Sequence, residues 1–177
     1  MQTGIIVLSV TILLLLNSQA TYSQDNWGKT GNKDDYILKT DSIVQYEGQP
    51  VMSFYSVNPD PTGYGGSRKI MPAGPYLGKR IRMSGFIRTE EVKQAACFWL
   101  RVDGGEPVKP LAFDNMMDRP IVGTTDWKRY GIVLEVPEGA SEIFYGTLIK
   151  GAGKIWYSGI RFELVGNEVP VTRPKLQ

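Results

Sequence analysis

The sequence predicts an all-β protein, specifically a two-sheet antiparallel β-sandwich of jelly-roll type. Short segments rich in Val, Ile, Phe, Tyr and Trp recur along the chain, and such segments are typical of strands. Gly, Pro, Asp and Asn separate them, and none carries a long apolar stripe of helical period. About eight strands with one long connection suit two apolar sheet faces that pack together.

Turn residues mark where several predicted strands end. Asp103-Gly104-Gly105 and Gly151-Ala152-Gly153 contain residues that tolerate positive φ. Because only residues 151–153 separate the last two segments, we expect these two strands to form a hairpin. The predicted strands are 36–38, 51–56, 80–89, 96–103, 109–115, 128–136, 142–150 and 154–165.

One long segment lacks the strand pattern. Residues 58–76 are dense in Gly and Pro. Such a composition disfavours both helices and central strands. We therefore expect a long surface connection in this part of the chain.

The amino-terminal residues 1–23 have the pattern of a signal peptide. Residues 5–16 form an uncharged apolar run, shorter than the roughly 20 residues that a membrane-spanning helix needs. Small residues follow, so we expect cleavage after Ala20 or Ser23 and a secreted or periplasmic protein that has no membrane partner. The mature chain is predicted to contain a flexible segment at 24–34, the jelly-roll domain at 35–166 and a tail at 167–177.

The composition excludes several classes of function. The chain contains no histidine, which removes Ser-His-Asp and Cys-His nucleophiles and His-ligated zinc. Its 20 basic and 18 acidic residues give a formal charge of +2 without a basic run, so nucleic acid is not an expected partner. Cys97 is the only cysteine and has apolar neighbours. We expect it to be a small buried residue in a strand.

Four stretches carry a family resemblance: GKRIRMSGFIRTEEV at 78–92, FWLRVDG at 98–104, LAFDNMMDRPIVGTTDWKRYGIVLEVP at 111–137 and GAGKIWYSGIRFELV at 151–165. Together they resemble a galactose-binding-like jelly-roll module, from the superfamily that contains many carbohydrate-binding modules. More narrowly, they are similar to an uncharacterised bacterial domain found alone in secreted proteins or attached to transcriptional regulators. This similarity covers most of 36–165 and is strong at 114–130. The resemblance implies a β-sandwich and, as in many members of the superfamily, carbohydrate binding without catalysis.

Modules of this superfamily commonly carry acidic residues after the Trp of the last strand, and these sometimes contribute to a structural calcium site. In this chain, Trp156 is followed by Tyr157-Ser158-Gly159. Calcium prefers several oxygen ligands, including carboxylates. We therefore expect no cofactor, and no calcium or other metal site at these positions.

The first candidate ligand-binding face lies on the predicted strand 96–103. Side chains alternate across a strand, so Trp99, Arg101 and Asp103 share the face opposite to a core row that includes Phe98 and Leu100. An aromatic ring can stack on the C–H face of a sugar while charged groups bind its hydroxyls. The alternative is a solvated face with an ion pair between Arg101 and Asp103.

The preceding predicted strand, 80–89, carries a similar row. Its outward residues are Arg82, Ser84, Phe86 and Arg88. If the two strands are neighbours, they present one continuous polar-aromatic face.

The second candidate site is the loop that follows the predicted strand 109–115. Asp114, Asn115, Asp118 and Arg119 concentrate carboxylates, an amide and a guanidinium there, and loops on a rigid scaffold commonly present binding groups. The alternative is structural. Asp114 or Asp118 would accept backbone N–H bonds while Arg119 clamps a carboxylate through two hydrogen bonds.

The sequence thus predicts a secreted, non-catalytic, carbohydrate-binding-like module that recognises a sugar or another hydroxyl-rich ligand. One alternative is a structural or protein-interaction domain, in which the same face docks a protein partner. The other is a glycoside hydrolase, which needs two carboxylates about 5 to 10 Å apart. Asp103, Asp114 and Asp118 are the candidates for that role.

Overall fold

The computed structural model describes residues 27–172 of the chain. These residues form nine strands and two short 3-10 turns, joined by loops. The predicted all-β sandwich is confirmed, whereas the predicted signal peptide at 1–23 lies outside the described residues. The turns are Lys33–Asp35 and Gly74–Tyr76. The strands are β1 (Gly28–Gly31), β2 (Tyr36–Tyr46), β3 (Gln49–Ser56), β4 (Tyr64–Pro72), β5 (Lys79–Gly104), β6 (Lys109–Asp114), β7 (Ile121–Val136), β8 (Ala140–Lys150) and β9 (Lys154–Val165).

Strand β5 is 26 residues long and belongs to both sheets of the sandwich. Its residues 79–90 pair with β7 and β9, and its residues 95–104 pair with β8. Residues 100–104 also pair with β6, and the pairing with β7 continues irregularly through Val92 and Ala96. We call β2-β3-β9-β5-β7 the back sheet and β1-β4-β8-β5-β6 the front sheet. Neighbouring strands in both sheets are antiparallel.

The path of β5 between the sheets changes the alternation of its side chains. Glu91 has φ 49°, and the register with β7 shifts on both sides of this residue. Before it, odd-numbered residues such as Ile81 and Met83 face the core. After it, even-numbered residues such as Phe98 and Leu100 do so.

The hydrophobic core fills the space between the two sheets. A Cβ atom built on Gly85 of the back sheet would lie 3.0 Å from Cζ of Phe98 of the front sheet, so the sheets contact each other directly. Cys97 is fully buried, as predicted, and burial raises the pKa of its thiol to about 12. Other side chains with no exposed surface are Phe54, Ile81, Met83, Ile87, Leu100, Ile132, Ile143 and Ile149.

The prediction of a surface connection at 58–76 is wrong for its second half. This part forms β4, which pairs with β8 on one side and β1 on the other. Glycine permits this because the strand is closely packed on both faces. A Cβ on Gly65 would lie 2.3 Å from the Tyr36 ring, and one on Gly66 would lie 2.9 Å from the Thr147 carbonyl oxygen.

The predicted hairpin between the last two strands is also wrong. β8 pairs with β4 and β5 in the front sheet, whereas β9 pairs with β3 and β5 in the back sheet. The turn at 151–153 therefore carries the chain across the core. The outward row that begins at Arg82 lies on the back sheet, and the one that begins at Trp99 lies on the front sheet. The two rows are therefore not neighbours and do not form one continuous face.

Both ends of the described chain make specific contacts. The segment predicted to be flexible, 24–34, contains β1, and Trp27 packs edge-on against Tyr145 and Tyr157 at centroid distances of 5.8 and 5.1 Å. In the predicted tail, Thr172 exchanges hydrogen bonds with the Val133 backbone. Within residues 27–172 we find no apolar helix of membrane-spanning length.

The position of Leu100 between the sheets gives a test of this core. Its side chain has no exposed surface, so Leu100→Ala leaves a cavity and should lower the free energy of unfolding by about 2 to 5 kcal/mol. Val122 is 53% exposed, and Val122→Ala should lower it by less than about 1 kcal/mol. Urea denaturation monitored by tryptophan fluorescence measures both, and similar losses would contradict the assigned core.

Candidate functional site

A groove of about 430 Å³ crosses the outer face of the front sheet. Its floor is formed by side chains of β5 and β8, namely Trp99, Arg101, Leu148 and Lys150. The β1 and β4 side is formed by Thr30, Gly63 and Tyr64, and the opposite side by Phe113, Asn115 and Met117. The groove thus runs across the sheet between strands that are far apart in sequence.

Trp99 lies on the outer side of the front sheet, as its alternation predicts, but only 7% of its surface is exposed. Its indole N–H donates to the carbonyl oxygens of Ser67 (3.1 Å) and Thr147 (3.2 Å). Gly146 stands opposite Trp99 on β8, and a Cβ on Gly66 would approach Trp99 Nε1 to 3.8 Å. Its two hydrogen bonds, to β4 and to β8, hold the indole as a fixed part of the groove floor.

Arg101 is held in the groove by two contacts on different strands. Its Nη2 donates to Oδ2 of Asp103 at 2.9 Å, and its guanidinium carbon lies 4.7 Å from the centre of the Phe144 ring. The Arg101 side chain is 36% exposed, whereas that of Asp103 is 9% exposed. Asp103 thus orients Arg101, and Arg101 presents the charge to the groove.

Asp114 has no exposed side-chain surface and anchors the loop after β6. It accepts hydrogen bonds from Nη1 and Nη2 of Arg119 at 3.3 and 2.6 Å, from the Met116 N–H at 2.8 Å and from the Thr172 hydroxyl. Burial by itself would raise the pKa of Asp114, but the bonds from Arg119, Thr172 and Met116 outweigh it and lower that pKa. These bonds are those of the structural alternative predicted for this loop, in which Asp114 accepts a backbone N–H bond and Arg119 clamps its carboxylate.

The structure brings three of the seven predicted site residues into the groove: Trp99, Arg101 and Asn115. Asp103 stands behind Arg101. Asp114 and Arg119 stabilise the loop, and buried Asp114 has no surface with which to contact a ligand. Asp118 is half exposed, pairs with Arg119 at 2.7 Å and is not among the residues that line the groove.

The set of predicted site residues does not include the two most accessible rings of the groove, Tyr64 and Phe113. Tyr64 is 45% exposed at the start of β4, in the segment for which no strand was expected. Phe113 stands directly opposite Arg101 in the register of β5 and β6. Alternation along the predicted strand 109–115 could have placed Phe113 on the same side as Asn115, but not beside Arg101.

A second cavity of about 530 Å³ opens between the sheets. Its aromatic walls include Trp27, Tyr76, Tyr145 and Phe162, and these rings pack on one another at centroid distances of 4.9 to 6.4 Å. The cavity is therefore an opening in the aromatic edge of the core. In residues 27–172, no three side chains of Cys, Asp and Glu are grouped so as to hold a metal ion.

No protein-family model matches the chain, whereas comparison with curated proteins finds a relative over part of its length. The chain is 47% identical over 100 residues to an uncharacterised HTH-type transcriptional regulator, YbfP, of Bacillus subtilis. The match covers 56% of this chain and 34% of the relative. The chain therefore spans about a third of the length of that protein.

Comparison by structure gives carbohydrate-binding modules. The C-terminal family 22 module of Clostridium thermocellum Xyn10B matches with a TM-score of 0.58 and 12% identity over 82% of this chain and 90% of that one. The xylan-binding CBM22-1 domain of Paenibacillus barcinonensis Xyn10C gives 0.53 and 12% over 78% and 85%. A family 16 module gives 0.58 and 12% over 85% and 99%. The chain has the jelly-roll fold of these modules.

The anchor at Asp114 gives a prediction about stability. Asp114→Asn leaves the half-buried Arg119 guanidinium without its buried counter-ion, and we expect a loss of about 2 to 3 kcal/mol in the free energy of unfolding. The matched control is Asp118→Asn, because the exposed Asp118 ion pair is worth about 0 to 1 kcal/mol. Urea denaturation at pH 7 measures both, and an equal loss for the two variants would contradict the anchoring role.

The lowered pKa of Asp114 also predicts how stability depends on pH. A carboxyl whose pKa is lower in the folded state stabilises the fold above its unfolded pKa of about 3.9, and this contribution is lost as the pH falls through the folded pKa. The difference in unfolding free energy between the wild type and Asp114→Asn should therefore be constant from pH 7 to about pH 5 and shrink below about pH 4. A difference that grows on acidification would contradict the assigned direction.

Proposed function

We propose that this chain is a non-catalytic module that binds a carbohydrate in the groove of the front sheet. The observation that carries the proposal is the composition of this groove. Two accessible rings, Tyr64 and Phe113, stand on opposite sides of a floor that presents Arg101 and Lys150, with the Asn115 amide at one side.

The chemistry of the lining suits a hydroxyl-rich ligand. Tyrosine and phenylalanine rings can cover the apolar C–H face of a pyranose. Arginine and lysine donate hydrogen bonds, and an asparagine side chain both donates and accepts them, so they match the mixed requirements of sugar hydroxyls. Because Asp103 and Phe144 already hold Arg101, binding would cost little ordering of its side chain.

The comparisons support the same proposal. The structures that share this fold include modules described as xylan-binding. We therefore take xylan, a neutral β-linked polysaccharide, as the first probe for the groove. We also retain the prediction that residues 1–23 direct export, which would bring the module into contact with extracellular polysaccharides.

The carboxylates considered for glycoside hydrolysis support a binding role. A general acid needs a raised pKa and access to the substrate. Asp114 has a lowered pKa and no exposed surface, and Asp103 is 9% exposed and paired with Arg101. Neither carboxylate meets both requirements. Of the three candidates only Asp118 is accessible, it does not line the groove, and a glycoside hydrolase needs two such carboxylates.

Affinity electrophoresis through gels that contain xylan or another neutral polysaccharide tests the proposal. Tyr64→Ala and Phe113→Ala should each weaken retention about tenfold, because each removes a stacking ring. Tyr55→Ala is the matched control, since Tyr55 lies on the outer face of the back sheet between Lys39 and Lys154. Its retention should equal that of the wild type.

Two results would contradict the proposal. One is a wild-type protein, folded by circular dichroism, that no neutral polysaccharide in a broad panel retards. The other is retention that falls with Tyr55→Ala but not with Tyr64→Ala or Phe113→Ala. The second result would move the site to the opposite sheet.

A further inference from the structure

Three arginines from three adjacent strands converge on a single carboxylate on the outer face of the back sheet. Glu163 of β9 lies 3.0 Å from Arg129 of β7, 3.9 Å from Arg82 of β5 and 3.8 Å from Arg161 of β9. The three arginine side chains are 43%, 33% and 58% exposed, and Glu163 is 37% exposed. We call this group the arginine cluster.

The arginine cluster carries more positive charge than its own carboxylate can neutralise. Three guanidinium groups and one carboxylate leave two positive charges at one place on the surface. The neighbouring Arg80 does not add to this excess, because it pairs with Glu135 at 2.8 Å and donates to the carbonyl oxygens of Asn167 and Val169. The excess is therefore local to Arg82, Arg129 and Arg161.

An aromatic group borders the arginine cluster. Phe86 stands opposite Arg129 in the register of β5 and β7. Its ring stacks on that of Tyr46 at 4.4 Å, and Tyr46 contacts Trp127 at 5.0 Å. On the other side of the cluster, the segment around Asn167 and Val169 crosses the face next to Arg80. The cluster lies between these two features.

We propose that the arginine cluster binds the carboxylate groups of an acidic polysaccharide, such as a polymer of uronic acids. Arg129 already donates a hydrogen bond to one carboxylate, that of Glu163, while Arg82 and Arg161 lie within ion-pair distance of it without a hydrogen bond to it. Arginine presents a planar fork of N–H donors that matches carboxylate geometry. The adjoining rings of Phe86, Tyr46 and Trp127 supply the apolar surface that a sugar ring needs.

A polymer suits this surface better than a single small ion. Exposed ion pairs are individually weak, so one isolated uronic acid would bind poorly. Successive acidic units along one chain can reach Arg82, Arg129 and Arg161 together, and linked contacts multiply the affinity. This inference concerns the sheet opposite to the groove and does not rest on the proposed function.

Affinity electrophoresis on polygalacturonate tests the inference. The wild type should be retarded at low salt and released as sodium chloride is added, because exposed charges are screened. The triple variant Arg82→Gln, Arg129→Gln, Arg161→Gln should bind at least about tenfold more weakly. Arg68→Gln, which removes an exposed arginine from the front sheet, is the matched control and should bind like the wild type. If the triple variant does not fold, Arg161→Gln alone tests the same point, since Arg161 is the most exposed of the three.

Glu163→Gln separates a ligand site from a structural ion-pair network. Removing this internal carboxylate frees three guanidinium groups for the carboxylates of the polymer, so binding to polygalacturonate should become several-fold tighter. Weaker binding by a Glu163→Gln protein that remains folded by circular dichroism would overturn the proposal. Equal retention of the wild type and the triple variant would also overturn it.

Two further experiments test which kind of polymer binds and which surface of the protein binds it. Single-stranded DNA that competes with polygalacturonate at equal charge concentration would overturn the assignment to an acidic polysaccharide. Tyr64→Ala should leave binding to polygalacturonate unchanged while it weakens binding to the neutral polysaccharide. If Tyr64→Ala abolished both, the acidic polymer would occupy the groove and the proposed role of the arginine cluster would be wrong.

Discussion

Both outer faces of this sandwich depend on the path of one strand, β5. It lies between β9 and β7 in the back sheet and between β8 and β6 in the front sheet. Because side chains alternate along a strand, a strand in two sheets supplies residues to two opposite surfaces. The irregular backbone at Glu91 shifts the alternation by one residue. Arg82 therefore faces outward in one sheet, and Arg101 does so in the other.

The crossing point is also tightly packed, which fixes the two faces relative to each other. The turn between β8 and β9 closes on it, and a Cβ on Gly153 would lie 2.6 Å from Cα of Val92. Gly153 has φ +143°, so glycine meets a conformational as well as a steric requirement there. The two outer faces differ in what surrounds their accessible side chains. Tyr64 and Asn115 flank a groove in front, whereas the arginine cluster behind lies on the surface of its sheet.

The sequence predicts much of the fold and less of the site, and the reason is the range of the interactions involved. Alternation correctly separates Phe98 and Leu100 from Trp99 and Arg101, because alternation is a local property of the chain. Strand pairing is not local. Residues 142–150 and 154–165 look like a hairpin, yet they pair with strands in different sheets. The glycines of β4 resemble those of a loop, although close packing requires them.

The same limit explains why Trp99 is more buried than its predicted role in a ligand-binding face requires. Alternation gives the side of the sheet on which a ring lies, but not what covers it. Trp99 donates its N–H to carbonyl oxygens of two strands, that of Ser67 on β4 and that of Thr147 on β8. On the other face, Trp156 is 3% exposed between Lys154 and Arg88, and its N–H binds Asp41.

Both indoles are thus satisfied by the protein itself and offer no free polar group to a ligand. Hydrogen bonding to a ligand must come from charged and amide side chains that remain accessible, such as Arg101 and Asn115 in front and the arginine cluster behind. Stacking must come from rings with accessible surface, which in the groove are Tyr64 and Phe113. These two rings belong to strands at opposite sides of the front sheet, so any ligand that contacts both must cross β8 and β5. The tryptophans shape the surface on which that contact takes place.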